Sequence, residues 1–133
     1  MYSLRFRIAR WVIRRLLFGL DDADPDSVVL VQELLEETPF PVAMAFYATF
    51  LDHDETAALE VLRRVPVTVV AATHDRLTPA AHGRRIADTL GPNAELVVVR
   101  GAGHSVNLTR SSIVDDALNA LLDRVSANGE KAG

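Results

Sequence analysis

The chain has 133 residues, a usual size for one domain, and its apolar content of 49% excludes a disordered polymer. It has no Cys, which excludes disulfides, thiolate zinc sites and a cysteine nucleophile. The net charge of -4 argues against nucleic acid as a partner, because such binding rests on phosphate neutralisation.

Charge is uneven along the chain. Residues 1–20 carry Arg5, Arg7, Arg10, Arg14 and Arg15 and no acid, and an acidic stretch with Asp21, Asp22, Asp24 and Asp26 follows. The arginines interrupt every apolar run at the start, so the segment does not read as a signal peptide. No run of about 18 apolar residues occurs that would span a membrane. Residues 4–20 instead read as an amphipathic helix. Arg7, Arg10 and Arg14 share one face, beside a broad apolar face of Phe6, Ala9, Val12, Ile13, Leu16, Leu17 and Leu20.

Asp24-Pro25-Asp26-Ser27 is a helix start, with Pro at the first helical position, and predicts a helix to Glu37 that buries Val28, Val31, Leu34 and Leu35. Pro39 and Pro41 punctuate the chain before a very apolar helix over Val42–Leu51. A further helix from Asp54 to Arg64 is expected to bury Ala57, Leu59 and Leu62. Asp52-His53-Asp54 offers metal-binding residue types, but neighbours at a helix start seldom converge on one ion, so they read as caps and solvated charge.

The pattern then changes. Val67–Ala72 is a short β-branched run, as in a parallel strand covered on both faces. Ala80–Leu90 reads as a helix stopped by Gly91-Pro92, and Leu96–Val99 as the next strand. Ser111 or Ser112 can cap a last helix with Ile113, Val114, Ala117, Leu118, Leu121, Leu122 and Val125 as its apolar stripe, and residues 127–133 read as a disordered tail. Two strands that read as buried on both faces make a poor sheet alone, so docking onto more sheet, or self-association, is expected.

Each strand is followed by a chemical group where open α/β sheets keep ligands. His74-Asp75-Arg76-Leu77-Thr78-Pro79 follows the first, and Gly101-Ala102-Gly103-His104 the second. Asp75 alone could be a turn residue, and His104 alone a surface residue. Together, in the order Asp before His, they match the acid and base of a nucleophilic triad. His74 points to the other face of an extended segment and reads as structural, and His82 as a solvent-facing helix residue.

These motifs resemble the carboxyl-terminal portion of α/β-hydrolase-fold enzymes over Val65–Leu122, and the preceding helices resemble the cap of actinobacterial lipase- or esterase-like members. The chain departs from that pattern at Ala72, where Gly is usual, and in Ser105–Ser111, which lacks the usual Glu-x-Pro after the His. The resemblance implies a partial α/β-hydrolase fold, with residues 1–64 as a helical cap segment and 65–126 as the last two strands and their helices. It also implies ester or acyl-bond hydrolysis by a Ser–His–Asp mechanism, with Asp75 and His104 catalytic and no metal or organic cofactor. The apolar faces around Val42–Phe50 point to a small apolar ester-like substrate, and the expected location is cytoplasmic or membrane-peripheral. No Gly-x-Ser-x-Gly occurs, and Ser3, Ser27, Ser105, Ser111, Ser112 and Ser126 all lie outside a strand–elbow–helix context, so no nucleophile is assigned. The chain is therefore expected to be inactive alone, and truncated or completed by another polypeptide, with Met1 an uncertain start. The alternative is a non-catalytic remnant or a partner-binding fragment, with peripheral membrane contact through residues 4–20.

Overall fold

Val67–Ala72 and Ala94–Val99 form strands β1 and β2 of the computed structural model, which describes residues 11–12, 14–19, 23–51 and 53–131. They pair in parallel, with Val67 opposite Ala94 and Ala72 opposite Val99. The second strand thus begins two residues before the expected Leu96, because Ala94 and Glu95 complete the ladder.

Helices α1 (Pro25–Glu36), α2 (Phe40–Leu51) and the short α3 (Leu59–Leu62) precede the sheet. Helix α4 (Ala80–Leu90) joins the strands, and α5 (Val106–Thr109) and α6 (Ser111–Lys131) follow them. The two long flanking helices cover opposite faces of the sheet. On one face α4 comes so close that a Cβ on Gly83 would sit 2.8 Å from Ala71 Cβ and 3.4 Å from Val69 Cγ1. On the other, α6 lays Val114, Ala117 and Leu121 beside Thr68 and Val70. This helix–sheet–helix layering agrees with an α/β fold.

Arg124 of α6 locks the amino-terminal edge of the sheet. Its Nη2 donates to Asn93 O at 2.6 Å, and its Nη1 donates to Val67 O at 3.2 Å and meets Glu95 Oε2 at 3.3 Å. Arg63, just after α3, donates from Nε to Thr89 O at 2.8 Å and ties the helical segment to the end of α4.

Helix α1 forms where the sequence predicts it, and α2 begins at Phe40 rather than Val42, with Pro41 inside its first turn; both bury less than expected. Asp24 caps α1 by accepting from Ser27 N at 3.0 Å, and Pro25 takes the first helical position. Val28 is buried with Phe18 and Ala23, whereas Leu34 and Leu35 are exposed against expectation. Helix α2 is exposed over residues 40–50, Phe40 to 74% and Phe46 to 64%. The helix expected over Asp54–Arg64 is a 3₁₀ turn, Thr56–Ala58, followed by the four residues of α3. Its Ala57 and Leu62 are exposed rather than buried. Asp54 accepts from Thr56 N and holds that turn, as a cap does; Asp52 lies outside the described residues.

Within the helix expected over residues 4–20, Arg14–Phe18 is a π-helical turn ending at Gly19, and Arg7, Arg10, Phe6, Ala9, Ile13 and Leu20 lie outside the described residues. Val12 and Leu16 are exposed, and Phe18 is the side chain that buries, at 1% exposure. The wider π turn shifts the buried position away from the α-helical stripe. Along α6, Ala117 is buried, while Leu118, Leu122 and Val125 are exposed. That helix continues to Lys131, so residues 127–131 are helical rather than a disordered tail. Long apolar side chains on α1, α2 and α6 follow helical periodicity, but periodicity records only that a face is apolar, and these faces lack a covering element among the described residues.

Candidate active site

Both functional segments leave the carboxyl-terminal end of the sheet, and hydrogen bonds continue the strand pairing into them. Thr73 N donates to Val99 O at 3.0 Å, and His74 N donates to Ala102 O at 2.9 Å. Gly101 N donates to Thr73 Oγ1 at 2.9 Å, with Gly101 at a φ of 75° that L side chains rarely adopt. The loop carrying His104 is thereby stitched to the loop carrying Asp75.

A third segment closes on the same place. Ser105 N donates to Leu17 O at 2.7 Å, which docks the π turn on the His104 loop. Gly103 is where they touch. A Cβ there would lie 2.4 Å from Phe18 C and 2.6 Å from Gly19 N, so no larger residue fits without moving backbone.

Within this frame Asp75 Oδ2 and His104 Nδ1 stand 2.9 Å apart. The carboxylate is otherwise saturated. Its Oδ1 accepts from Leu77 N and Thr78 N, each at 2.8 Å, and its Oδ2 also accepts from Thr78 Oγ1 at 2.7 Å. The Asp75 side chain is 8% exposed, and that of His104 is 38% exposed. Burial by itself would raise the Asp75 pKa, but the Thr78 hydroxyl, the Thr78 amide, His104 and the Leu77 amide together outweigh it and hold the carboxyl below its ordinary value of 3.8.

An ionised carboxylate accepts only, so Nδ1 of His104 carries the proton of that bond and the neutral ring keeps its lone pair on Nε2. The Thr78 hydroxyl gives its proton to Asp75 and lies 3.2 Å from His104 Nδ1, where its oxygen can share the Nδ1 proton. The arrangement can therefore fix one tautomer, accept a proton at Nε2 and stabilise the resulting imidazolium.

The two sequence-identified residues, Asp75 and His104, are brought together. His74 is exposed and borders a cavity beside Asp75, together with Arg15 and Arg76. His82 is exposed on α4 and shares a separate cavity with His53 and Asp54. Among the described residues no group of three or more His, Asp or Glu could hold a metal ion. Thr78 was missed by sequence reasoning. Its signal was present, since a hydroxyl three residues after an Asp in a turn is placed to bond back to it.

Residues 49–131, more than half of the chain, match the TAP-like protein family. The chain belongs to that family of the α/β-hydrolase superfamily. The matched region of this TAP-like chain contains both strands, Asp75, Thr78 and His104. A segment of 91 residues, 68% of the chain, is also 35% identical to the polyketide synthase ThaQ of Burkholderia thailandensis (strain ATCC 700388 / DSM 13276 / CCUG 48851 / CIP 106301 / E264). The chain spans only 4% of the length of that relative. No helix of the described residues is long and apolar enough to cross a membrane.

Proposed function

We propose that this chain supplies the acid and the base of a serine hydrolase, similar to lipases and esterases, that cleaves an ester or other acyl bond. The observation that carries the reading is the 2.9 Å bond from His104 Nδ1 to an Asp75 carboxylate whose other acceptor positions are filled. Residues 1–64 serve as a helical cap over a small apolar substrate and residues 65–126 as the core portion. The nucleophilic serine comes from polypeptide outside these 133 residues, and the chain alone is inactive. The protein acts in the cytoplasm.

In the proposed reaction the serine oxygen bonds to the acyl carbon as its proton passes to His104 Nε2. The bond from that carbon to the leaving oxygen breaks, and Nε2 returns the proton to the leaving group. Water then attacks the acyl-serine, again giving its proton to Nε2. The serine oxygen leaves and retakes that proton. Asp75 stays ionised throughout and steadies the imidazolium formed in each half. The scheme calls for no metal or organic cofactor.

The test is the turnover of acyl esters and thioesters by the native polypeptide purified from its source cells, beside the same polypeptide with His104→Ala. Loss of the base lowers turnover by several orders of magnitude if the reading holds. Equal turnover in the two proteins removes it.

A second reading, a non-catalytic partner-binding fragment, is favoured by one observation: α2 presents Phe40, Phe46, Tyr47 and Phe50 to solvent on a helix without charge. It includes peripheral membrane contact through residues 4–20 and self-association. Salt-sensitive binding to anionic vesicles, with no hydrolysis by the native polypeptide, supports it over the first.

A further inference from the structure

The cavity beside Asp75 has a volume of about 340 Å³ and is lined by Arg15, Gly19, Thr73, His74, Asp75 and Arg76. Among the described residues, two that bear a guanidinium border it against one carboxylate. That carboxylate is not free to pair with them, because Leu77 N, Thr78 N, Thr78 Oγ1 and His104 Nδ1 fill its acceptor positions. Arg15 is the group left over. Its Nη1 is closed to water and has no hydrogen-bond partner. Nη1 itself faces away from water, but Arg15 as a residue is only half-buried and lines the cavity, and no described acid pairs with it, so an anion in the cavity would relieve the cost of drawing this cation partly out of water.

The backbone under Arg15 is also fixed. Arg15 lies in the π turn Arg14–Phe18, which Ser105 N holds through Leu17 O and which packs against Gly103. Single π turns are frequent at functional sites. The turn therefore holds Arg15 at the cavity that Asp75 also lines, besides burying Phe18.

We infer that this cavity is an oxyanion subsite, in which Arg15, with Arg76 beside it, holds a carboxylate or phosphate carried by the substrate. The anion-binding part stands on the cavity and Arg15; the assignment of that anion to a substrate rests on the hydrolase reading. It gives the apolar acyl substrate an anionic group, held on the Asp75 side of the pair.

The experiment follows the backbone amides of Thr73, His74 and Arg76 in ¹H–¹⁵N spectra of the full chain. Acetate and inorganic phosphate are titrated separately, with chloride keeping ionic strength constant. Saturable shifts with at least one anion are expected, and the tighter of the two identifies the carboxylate or the phosphate source. Arg15→Gln weakens that binding by about tenfold or more, since it removes a charge-assisted contact. Arg84→Gln, on the exposed surface of α4 and outside the cavity, leaves it unchanged. Shifts that never saturate with either anion, or equal affinity in Arg15→Gln, overturn the subsite. Should Arg15→Gln lose its folded spectrum, Arg15→Lys decides. Its point charge lacks the guanidinium fork, so weaker binding supports the subsite and unchanged binding overturns it.

His104→Ala separates this inference from the hydrolase reading. Anion binding that persists in His104→Ala while the native polypeptide loses turnover supports both. Binding without any dependence of turnover on His104 leaves the subsite and removes its assignment to a substrate. Turnover that depends on His104 without anion binding removes the subsite alone.

Discussion

Replacing Gly103 by Ala tests the contact on which the His104 loop and the π turn depend. The added methyl would stand 2.4 Å from Phe18 C, 2.6 Å from Gly19 N and 2.7 Å from Phe18 O. All three are backbone atoms, so no side chain can rotate away to relieve the clash. The turn must retreat by about 1 Å to restore ordinary van der Waals contact. Retreat lengthens the 2.7 Å bond from Ser105 N to Leu17 O and opens the packing around Phe18, which is 1% exposed. Losing that hydrogen bond costs about 1 kcal/mol. Partial exposure of a buried Phe adds about 1 to 2 kcal/mol. The expected loss is therefore about 2 to 3 kcal/mol, within the range measured for overpacked sites. Urea unfolding read by circular dichroism gives the free energy. The fluorescence of Trp11, the chain's single tryptophan, reports the segment just before the turn. Gly129→Ala is the control: a Cβ there meets nothing within 4 Å, and Ala favours a helix interior by about 1 kcal/mol, so stability holds or rises. A Gly103→Ala protein that unfolds at the same urea concentration as the parent, with unchanged Trp11 emission, refutes the reasoning.

Thr78→Val removes the hydroxyl that donates to Asp75 and shares the His104 proton, while Thr78→Ser keeps it. A hydrogen bond to a charged group is worth about 1.5 to 3 kcal/mol, so kcat of the native polypeptide falls by about 10- to 100-fold in the Val variant and recovers in the Ser variant. Asp75→Asn probes linkage. The folded Asp75 carboxyl ionises below its ordinary value of 3.8, so its contribution to stability is fully present above that value and is lost as pH falls through the folded one. The stability gap between the parent chain and Asp75→Asn, followed by urea unfolding across acidic pH, should contract only below 3.8; a gap that widens with acid contradicts the assignment. Arg124→Leu removes the bonds to Val67 O, Asn93 O and Glu95 and is expected to cost about 2 kcal/mol in urea unfolding, with Glu95→Gln costing less than about 1 kcal/mol because that pair is partly exposed.

The two strands and the pair at their ends were legible because each carries its own local signal. Val67–Ala72 is continuous, β-branched and bounded by Pro66 and Thr73, and Gly101 and Gly103 mark the loop that brings His104 round. Asp75 and His104 are 29 residues apart, yet the sheet register alone places both at one edge, since Ala72 pairs with Val99. Burial was less legible. Leu34, Leu35 and Leu118 have the spacing of core residues and are exposed, because an apolar stripe says nothing about whether a partner covers it. The π turn was hidden for a related reason: Arg14–Phe18 has ordinary helical composition, and only the contact of Gly103 with Phe18 shows why the turn sits where it does. The short helix α5 escaped because its Val106-Asn107-Leu108-Thr109 is no stronger a helix former than the loop around it.

The geometry of the site draws little on hydrophobic burial, and this explains how an ordered acid–base pair coexists with so much exposed apolar surface. Few side chains near the strand ends are buried: Ala72, Val99 and Ala102 form the local cluster, all small or medium in size. Dispersion among such groups cannot alone set a carboxylate and an imidazole at 2.9 Å. Directional bonds do it instead. Thr73, His74 and Gly101 donate across the two loops, Ser105 donates to the π turn, and Leu77 and Thr78 donate to the carboxylate itself. Each is worth about 1 kcal/mol net, but each also removes a degree of freedom that would let Asp75 and His104 drift apart. The apolar faces of α2 and α6 stand outside this network, so covering them adds stability without being required to set the pair. A variant that weakens those faces should therefore lower the unfolding free energy and leave the His104–Asp75 bond intact, whereas Thr78→Val should lower the unfolding free energy and loosen that bond as well.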